Sequence, residues 1–326
     1  MQKHSRYFYT RLPEGQKLIY DNILQSLYNY QKDIKIISPF AINTVLKIND
    51  CVLFDNPELF YVNSDEIPYS YNSGHAVINF NFLYNMAEIN NITRNIQGKT
   101  QILMQKLYDK NYNDFDKEKE IHDFLARNVE YDNTQDTDPV FHNIVGALLN
   151  GTAVCSGYSK AFKYLCDLAN MSAVYVSGEA INPAGILESH AWNIIKINND
   201  CYHVDVTWNS CQSITKDTVC YNYFNISDAY MKTDHIWDMQ NYPRCNLTSD
   251  IIPYITSGSD FKNYIITQVK NKNRNFSMRV NKKFNDDKEV LGRISGILAG
   301  SWIFGKTITV RYNKNQDIIN VSLKPT

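Results

Sequence analysis

The stretch AVCSGYSKAFKYL, residues 153–165, predicts a helix that begins at or next to Cys155. Apolar residues then recur with the spacing of one helical face, at Tyr158, Ala161, Phe162, Leu165 and Leu168. Asn170 is a suitable C-terminal stop. A thiol in the first helical turn meets unpaired backbone N–H groups and the positive end of the helix dipole, which favour the reactive thiolate. The stretch therefore predicts a nucleophilic Cys155.

Two glycines flank this cysteine, Gly151 before it and Gly157 after it. Glycine allows the backbone to turn sharply or another segment to come close, because it has no Cβ atom. Both uses fit a loop that faces a substrate.

The stretch HAWNIIKINNDCYHVDVTW, residues 190–208, predicts a β-hairpin that carries a histidine and an aspartate. If residues 198 and 199 form the turn, residue 197 pairs with 200 and residue 192 with 205. His190 and Asp205 are then diagonal neighbours on one face, with Cβ atoms roughly 5–7 Å apart. The same register places Trp208 on the opposite face. A three-residue turn without a bulge would separate the two polar side chains.

A thiol, an imidazole and a carboxylate are the groups that nucleophilic attack on an acyl carbon requires. In the predicted arrangement His190 accepts the proton of Cys155, while Asp205 fixes the imidazole tautomer and stabilises the imidazolium. Each residue alone has a structural alternative, as a buried apolar thiol, a packed histidine or a turn carboxylate. Their combination in this order favours catalysis.

These motifs resemble the transglutaminase-like superfamily, a branch of the papain-like thiol fold that includes transglutaminases, peptidases and inactive relatives. Residues 114–132, DFDKEKEIHDFLARNVEYD, are similar to its leading helix. Residues 151–162 resemble its nucleophile helix, and residues 189–208 resemble its histidine and aspartate hairpin. The resemblance implies a catalytic triad of Cys155, His190 and Asp205.

The chain departs from the family pattern beside the cysteine. Ala153 stands where a glycine is common, and Ser156 stands where glutamine or glutamate is common. Neither change removes a catalytic group, although alanine restricts φ more than glycine does. The backbone N–H of Cys155 is one predicted donor to an oxyanion, and no upstream side chain identifies itself as the second.

Several neighbouring residues have both a functional and a structural interpretation. Trp192 and Tyr158 are candidate substrate-binding residues, and packing is the alternative for both. His203 is a secondary candidate in the predicted register, and a structural role is favoured for it. We expect His235 to be structural as well.

Composition excludes several classes of protein. The 326 residues are 44% hydrophobic and 21% charged, with a net charge of -1, which is typical of a globular chain rather than a nucleic-acid-binding one. The seven cysteines are an odd number without a CxxC pair, so neither a disulfide framework nor a zinc site is expected. We therefore predict no metal and no cofactor.

Membrane and targeting signals are not evident in the sequence as written. The opening MQKHSRYFYTRL lacks the apolar core of a signal peptide, and no run of eighteen apolar residues occurs. These features predict a cytoplasmic protein that does not bind a membrane. An extracellular or cell-envelope location is the expectation if the chain has been trimmed.

The chain divides by pattern into three parts. Residues 1–110 combine a helical pattern over 18–27 with the extended segments DIKIISPF and AVINFNF. Residues 111–250 hold a helix capped by Asp116, the cysteine helix and the hairpin. Residues 251–326 predict helices over 261–269 and 290–298 and paired strands in TITVRYN and IINVSL. The expected fold is α+β, with a papain-like, transglutaminase-like core of a nucleophile helix on an antiparallel sheet between two small α+β regions.

The predicted activity is thiol-dependent acyl chemistry on peptide or glutamine amide bonds, through a thioester. Hydrolysis by a protease, amidase or deamidase is favoured, because water is always available and no feature of the sequence indicates a lysine-binding tunnel. Transglutaminase-type amine transfer and a non-catalytic peptide- or cell-wall-binding module are the alternatives. A protein or peptide substrate is the expected partner, and no feature of the sequence indicates an oligomeric state.

Overall fold

The computed structural model describes residues 6–64, 67–72, 75–134, 138–182, 184–213, 218–281, 283–299 and 306–325. These residues form an α+β fold. Within them the strands assemble into a five-stranded, a four-stranded, a three-stranded and a two-stranded sheet.

The N-terminal part packs helices beside a small antiparallel sheet. Its elements are α1 (Tyr7–Arg11), α2 (Glu14–Tyr28), β1 (Asp33–Ile37), α3 (Ile42–Asp55), β2 (Tyr69–Asn72), β3 (His75–Asn79) and α4 (Met86–Asp109). The two predicted extended segments pair as β1 and β3, with β2 on the other side of β3. Leu18 is exposed, so the buried face of α2 is narrower than predicted.

The central part is a helix packed on an antiparallel sheet. Its elements are α5 (Asp114–Asn128), β4 (Glu130–Tyr131), β5 (Thr152–Ala153), α6 (Cys155–Leu168), β6 (Ser172–Ile181), β7 (Leu187–Ile197), β8 (Asp200–Val204), α7 (Val206–Cys211), β9 (Phe224–Ile226), α8 (Asp228–Met231) and β10 (His235–Ile236). The sheet order is β10-β6-β7-β8-β9, and every neighbouring pair is antiparallel. The predicted packing of the helix that carries Cys155 on an antiparallel sheet is therefore confirmed.

Helix α6 lies on this sheet because its apolar face is continuous. Tyr158, Ala161, Phe162 and Leu165 are completely buried, as the periodicity predicts. The helix ends before Asn170, which takes the left-handed φ of 57°. Burial of these four side chains fixes the helix, and with it the position of Cys155.

The cap of helix α5 differs from the sequence prediction. The side chain of Asn113 accepts a hydrogen bond from the backbone N–H of Asp116, so Asn113 is the N-cap and Asp116 lies in the first turn. Asparagine caps as well as aspartate does, and the carboxylate of Asp116 still meets the positive end of the dipole.

The C-terminal part has a sheet and an apolar core of its own. Its elements are β11 (Tyr254–Ile255), α9 (Gly258–Lys270), β12 (Asn275–Val280), α10 (Asp287–Leu298), β13 (Lys306–Asn313) and β14 (Ile318–Pro325). The predicted strand pair is present as the antiparallel β13 and β14.

The buried apolar residues form three clusters. One runs from Ile19 to Phe224, so it is continuous across residue 110. A second fills the C-terminal part, from Ile255 to Leu323. A third lies around Trp192 and Trp208. The boundaries near residues 110 and 250 stay predictions. Among the described helices, none is both long and apolar enough to cross a membrane.

Candidate active site

Cys155 is the first residue of α6, and its side chain is half-buried. The preceding Val154 makes no side-chain cap, and its own N–H donates to the carbonyl of Phe141 at 3.1 Å. The first N–H groups of a helix have no intrahelical acceptor. The thiol therefore lies at a helix end whose donors are not taken up by a capping side chain.

The two flanking glycines are needed for different reasons. Gly151 has a φ of 72°, the left-handed conformation that glycine adopts without strain. Gly157 lies so close to the carbonyl oxygen of Phe141 that a Cβ atom would clash with it. Ala153 has no positive φ, and it pairs in β5 with Tyr131 of β4. Its extended backbone explains why glycine is not required there.

The hairpin has the predicted register but is shorter than predicted. Ile197 pairs with Asp200, and the ladder continues to the pair of Asn193 and Val204. Strand β8 then ends, because Asp205 becomes the N-cap of α7 and accepts a hydrogen bond from the backbone N–H of Trp208 at 3.0 Å. The predicted pairing of residue 192 with 205 does not form. Asp205 approaches His190 from a helix cap instead of a strand.

His190 and Asp205 are in direct contact. The Nε2 atom of His190 lies 2.8 Å from Oδ2 of Asp205, and both side chains are buried. The thiol of Cys155 is near enough to His190 to contribute to the raised pKa of the imidazole. Since Asp205 occupies Nε2, Nδ1 is the ring nitrogen available to the thiol. The fold therefore brings the three predicted residues together, with the imidazole in contact with the carboxylate and near the thiol.

The charges of His190 and Asp205 stabilise one another. Burial alone would lower the pKa of His190, but the charge and hydrogen bond of Asp205, together with the nearby thiol of Cys155, outweigh burial and raise it above its usual value. Burial alone would raise the pKa of Asp205, but the charges of His190 and His235 and their hydrogen bonds hold it well below its usual range. A carboxylate and an imidazolium are the favoured states of this pair.

Two tryptophans pack against the imidazole. The ring of Trp192 stacks on His190 with centroids 6.0 Å apart, and the ring of Trp208 lies 5.4 Å from it. Trp208 was predicted on the opposite face, and it reaches His190 because α7, not a strand, carries it. Both rings exclude water from the imidazole and restrict its rotation.

The two candidate substrate-binding residues are inside the protein. Trp192 and Tyr158 each have 0% of their surface exposed. The phenol of Tyr158 donates to the carbonyl of Val129, and the indole of Trp192 donates to Nδ1 of His203 at 3.0 Å. Burial leaves neither side chain a surface that a substrate could touch, and the packing role fits both.

His203 belongs to a structural network on the far side of Trp192. Its Nε2 atom lies 2.9 Å from Oδ1 of Asp228. Because Nδ1 accepts from Trp192, Nε2 carries the proton and donates to Asp228. His203, Asp228 and Cys245 have ligand atoms within 4.8 Å of one another, but a metal on Nε2 would require this ring to give up its last proton. The tautomer therefore disfavours a metal at this cluster.

Two further residues lie near the triad: His235, which was expected to be structural, and Tyr131, to which the sequence assigned no role. His235 contacts Asp205, with its Nε2 atom 3.3 Å from Oδ2. Tyr131 lies near Cys155. Burial raises the pKa of the Tyr131 phenol, and the nearby charge of Cys155 raises it further. The phenol has no hydrogen-bond partner within the part of the chain that the structure describes.

One comparison with known proteins identifies the family that part of the chain resembles. Residues 102–206 match the family model of the transglutaminase-like superfamily, so the chain contains a transglutaminase-like domain. This match supports thiol-based catalysis in general. No curated protein matches the chain.

Two solved structures are similar to the chain at low sequence identity. A candidate cysteine protease from Cytophaga hutchinsonii is 19% identical over 44% of this chain, with a TM-score of 0.28. A TGase is 14% identical over 69% of this chain, with a TM-score of 0.33. The chain spans 61% and 57% of the lengths of these proteins. At these values neither likeness bears on the activity of the chain.

Proposed function

We propose that the protein is a cysteine-dependent enzyme that acts on peptide or glutamine amide bonds through Cys155, His190 and Asp205. The observation that carries this proposal is the buried contact of 2.8 Å between the imidazole and the carboxylate, with the thiol near the same imidazole. A purely structural cysteine has no need of an imidazole that is itself held by a buried carboxylate.

The first chemical step forms a thioester. The sulfur of Cys155 attacks the amide carbonyl carbon, and the carbonyl electrons move to oxygen to give a tetrahedral oxyanion. As this intermediate collapses, the C–N bond breaks, and His190 gives its proton to the departing amine or ammonia. The acyl group remains on sulfur, and Asp205 stabilises the imidazolium before the proton is transferred.

The second step releases the acyl group. His190, now neutral, takes a proton from water, and the resulting hydroxide attacks the thioester to give a carboxylic acid and the thiol. If a primary amine replaces water, the product is a new amide. We favour hydrolysis because water reaches a half-buried thiol without a dedicated binding site.

Two N–H or O–H donors are expected around the oxyanion. The backbone N–H of Cys155 is one. We assign the phenol of Tyr131 as the second, because β4 pairs with β5 directly before the nucleophile and the phenol is near the thiol without another described partner. This assignment completes the site that sequence reasoning left open.

A cleft of about 530 Å³ lies between the central and C-terminal parts and is large enough for a peptide segment. Trp208 forms one wall and Arg311 another. Trp208 also packs on His190, but neither His190 nor Cys155 lines this cleft. The proposal of a peptide or protein substrate therefore rests on the thiol, the imidazole and the carboxylate.

The decisive experiment is incubation with a glutamine-containing peptide, with and without a primary amine, followed by product mass. We expect a hydrolysed or deamidated product in both cases, and its loss in C155A and H190Q. The matched control is C211S, which removes an exposed thiol at the end of α7. Dominant amine incorporation at modest amine concentration would favour transfer, and unchanged turnover by C155A would refute the proposal.

A binding module that retains an unused triad is distinguished by thiol reactivity. We expect iodoacetamide to modify Cys155 faster than Cys51 or Cys245 near neutral pH. Burial, with the charges of Asp55 and Asp50, raises the pKa of Cys51 to about 12, so it is a suitable slow reference. Equal rates at the three thiols would favour the non-catalytic alternative.

A further inference from the structure

The carboxylate of Asp205 is shared by two histidines. Its Oδ2 atom lies 2.8 Å from Nε2 of His190 and 3.3 Å from Nε2 of His235, while Oδ1 accepts the backbone N–H of Trp208. His235 begins β10, the edge strand that pairs with β6, and its side chain is buried. The catalytic carboxylate is thus held from three directions.

The other nitrogen of His235 faces a second carboxylate. Nδ1 lies 2.7 Å from Oδ1 of Asp234. A neutral imidazole carries one N–H, so only the doubly protonated ring can donate to both Asp205 and Asp234. Charges therefore alternate along a buried line, from the imidazolium of His190 through Asp205 and His235 to Asp234.

Asp234 is itself fixed as a hydrogen-bond acceptor. The phenol of Tyr223 donates to its Oδ2 atom at 2.7 Å, and the amide of Asn315 donates to the same oxygen at 3.0 Å. Asn315 lies between β13 and β14, so this anchor comes from the C-terminal part. The network of hydrogen bonds extends from His190 to the turn between two strands of another sheet.

We propose that His235, held by Asp234, is a positioning residue that orients the Asp205 carboxylate and offsets its charge from behind the triad. It does not touch the reacting atoms and acts through Asp205 on His190. This inference rests on the proposed function, because it assigns His235 a role in maintaining the Cys155 and His190 pair.

His190, Asp205 and His235 each offer one atom that could bind a metal, and these three atoms lie within 4.8 Å of one another. A metal site is therefore the competing interpretation. Ligand atoms about 2.0 Å from a tetrahedral zinc ion are roughly 3.3 Å apart. The 2.8 Å contact between His190 and Asp205 is shorter and has the length of a charge-assisted hydrogen bond. The geometry therefore favours the proton-mediated network.

The test measures the rate of iodoacetamide modification of Cys155 as a function of pH, with C211S as the background. In a thiolate–imidazolium pair, the inflection on the alkaline side reports loss of the His190 proton. The titratable groups that face His235 are Asp205, Asp234, His190 and Tyr223. Unfolding temperatures of all variants are measured in parallel.

H235Q keeps an amide donor for Asp205 but removes the positive charge of the imidazole. The ring of His235 lies 5.4 Å from the ring of His190. We expect the alkaline inflection to move upward by roughly one pH unit, because a cation no longer repels the His190 imidazolium. H235N directs its shorter amide to Asp234 and loses the donor to Asp205. It should show the same shift with slower modification at neutral pH.

H203Q is the matched control, because His203 is also buried and paired with an aspartate but is bonded to Asp228 instead of Asp205. Its inflection should coincide with that of the background protein. N315D tests the network from an exposed position, and its added negative charge beside Asp234 should give a smaller upward shift.

The outcomes separate the inference from the proposed function. Suppose that H190Q abolishes the inflection, while folded H235Q and N315D give the same pH profile of Cys155 modification as the C211S protein. His235 is then structural and the inference is wrong. If H190Q also leaves the profile unchanged, the proposed function fails. A profile that changes with EDTA, or zinc binding that is lost in H235Q, would establish a metal site and overturn the positioning role.

Discussion

The charge of Asp205 raises the pKa of His190, the proposed catalytic imidazole, so substitution of Asp205 by asparagine is a direct test at the scale of one residue. D205N preserves an acceptor for the backbone N–H of Trp208 but loses the carboxylate that raises the pKa of His190. The pKa of His190 should fall, and the thiolate–imidazolium pair should become less populated at neutral pH. We expect turnover to drop on the order of 10²-fold or more.

Steady-state kinetics with the peptide substrate, and the pH dependence of Cys155 modification, check this prediction. The alkaline inflection of D205N should lie at lower pH than that of the unsubstituted protein. A full-length, folded D205N with unchanged turnover and an unchanged inflection would show that Asp205 is only a helix cap.

Tyr131 gives a prediction that separates oxyanion stabilisation from nucleophile activation. Y131F removes the phenol O–H but retains the ring. We expect turnover of an amide substrate to fall by about 10²-fold, since a lost oxyanion donor has a cost of this order. Alkylation of Cys155 by iodoacetamide forms no oxyanion, so its rate should change little. A Y131F variant that loses alkylation and turnover together would indicate a general distortion of the site.

At the scale of residues, the sequence predicted the contacts that depend on local spacing. Cys155 follows from the helical period, and His190 and Asp205 follow from hairpin register and from family resemblance. His235 could not be found in this way, because β10 pairs with β6, about fifty-five residues earlier in the chain. Only the folded sheet places its ring beside Asp205.

At the scale of elements, the close approach of α6 to the turn before it depends on Gly157. A Cβ atom at this position would clash with the carbonyl oxygen of Phe141 and lie 2.8 Å from Cβ of Ala153. G157A should therefore displace the start of α6 and destabilise the fold by about 1–3 kcal/mol. Because Cys155 begins this helix, its modification should also slow.

Chemical denaturation and the rate of Cys155 modification measure these two effects. The control is G98A in the middle of α4, where a Cβ atom would meet no heavy atom within 4 Å. Alanine should stabilise that helix by about 0.5–1 kcal/mol. If G157A were as stable as G98A, the tight contact with the turn would not constrain the nucleophile.

Helices and strands with a strong hydrophobic period were predicted well, and helices marked mainly by a capping side chain at their start were not. Helix α6 and the strands β7, β13 and β14 lie where their patterns indicated. Helix α7 was missed because VTW suits a strand, and only the side-chain cap of Asp205 makes this segment helical. Helix α4 was not predicted, although Asn85 and Glu88 form a capping box at its start.

At the scale of the whole molecule, the three apolar clusters are joined by polar contacts as well as by packing. The turn after β13 reaches the central part through Asn313, which donates to Gln212 and Tyr223, and through Asn315, which donates to Asp234. Amide side chains are frequent throughout the sequence, so their abundance did not mark these contacts. The association of the C-terminal part with the site could be read only from the folded chain.

One buried acid should make the stability of the whole molecule depend on pH. Glu118 of α5 is fully buried and accepts a hydrogen bond of 2.6 Å from the amide of Asn225 in β9. Its Oε1 atom has no partner among the described residues. Burial raises the pKa of Glu118 to about 8, although the hydrogen bond from Asn225 opposes this effect. The side chain is therefore protonated in the folded protein at neutral pH.

The folded pKa lies above that of an unfolded glutamate, about 4.3, so the contribution of Glu118 is greatest at low pH. It should diminish as the pH rises from about 4.5 and should be lost once the pH passes about 8. At about 1.4 kcal/mol per pKa unit, the loss is on the order of a few kcal/mol. E118Q carries no titrating proton, so its free energy of unfolding should fall less steeply over this range. Urea unfolding at several pH values measures how the free energy of unfolding of each protein changes with pH. E120Q on the same helix is the control. Equal slopes for E118Q and the unsubstituted protein would mean that Glu118 is already ionised.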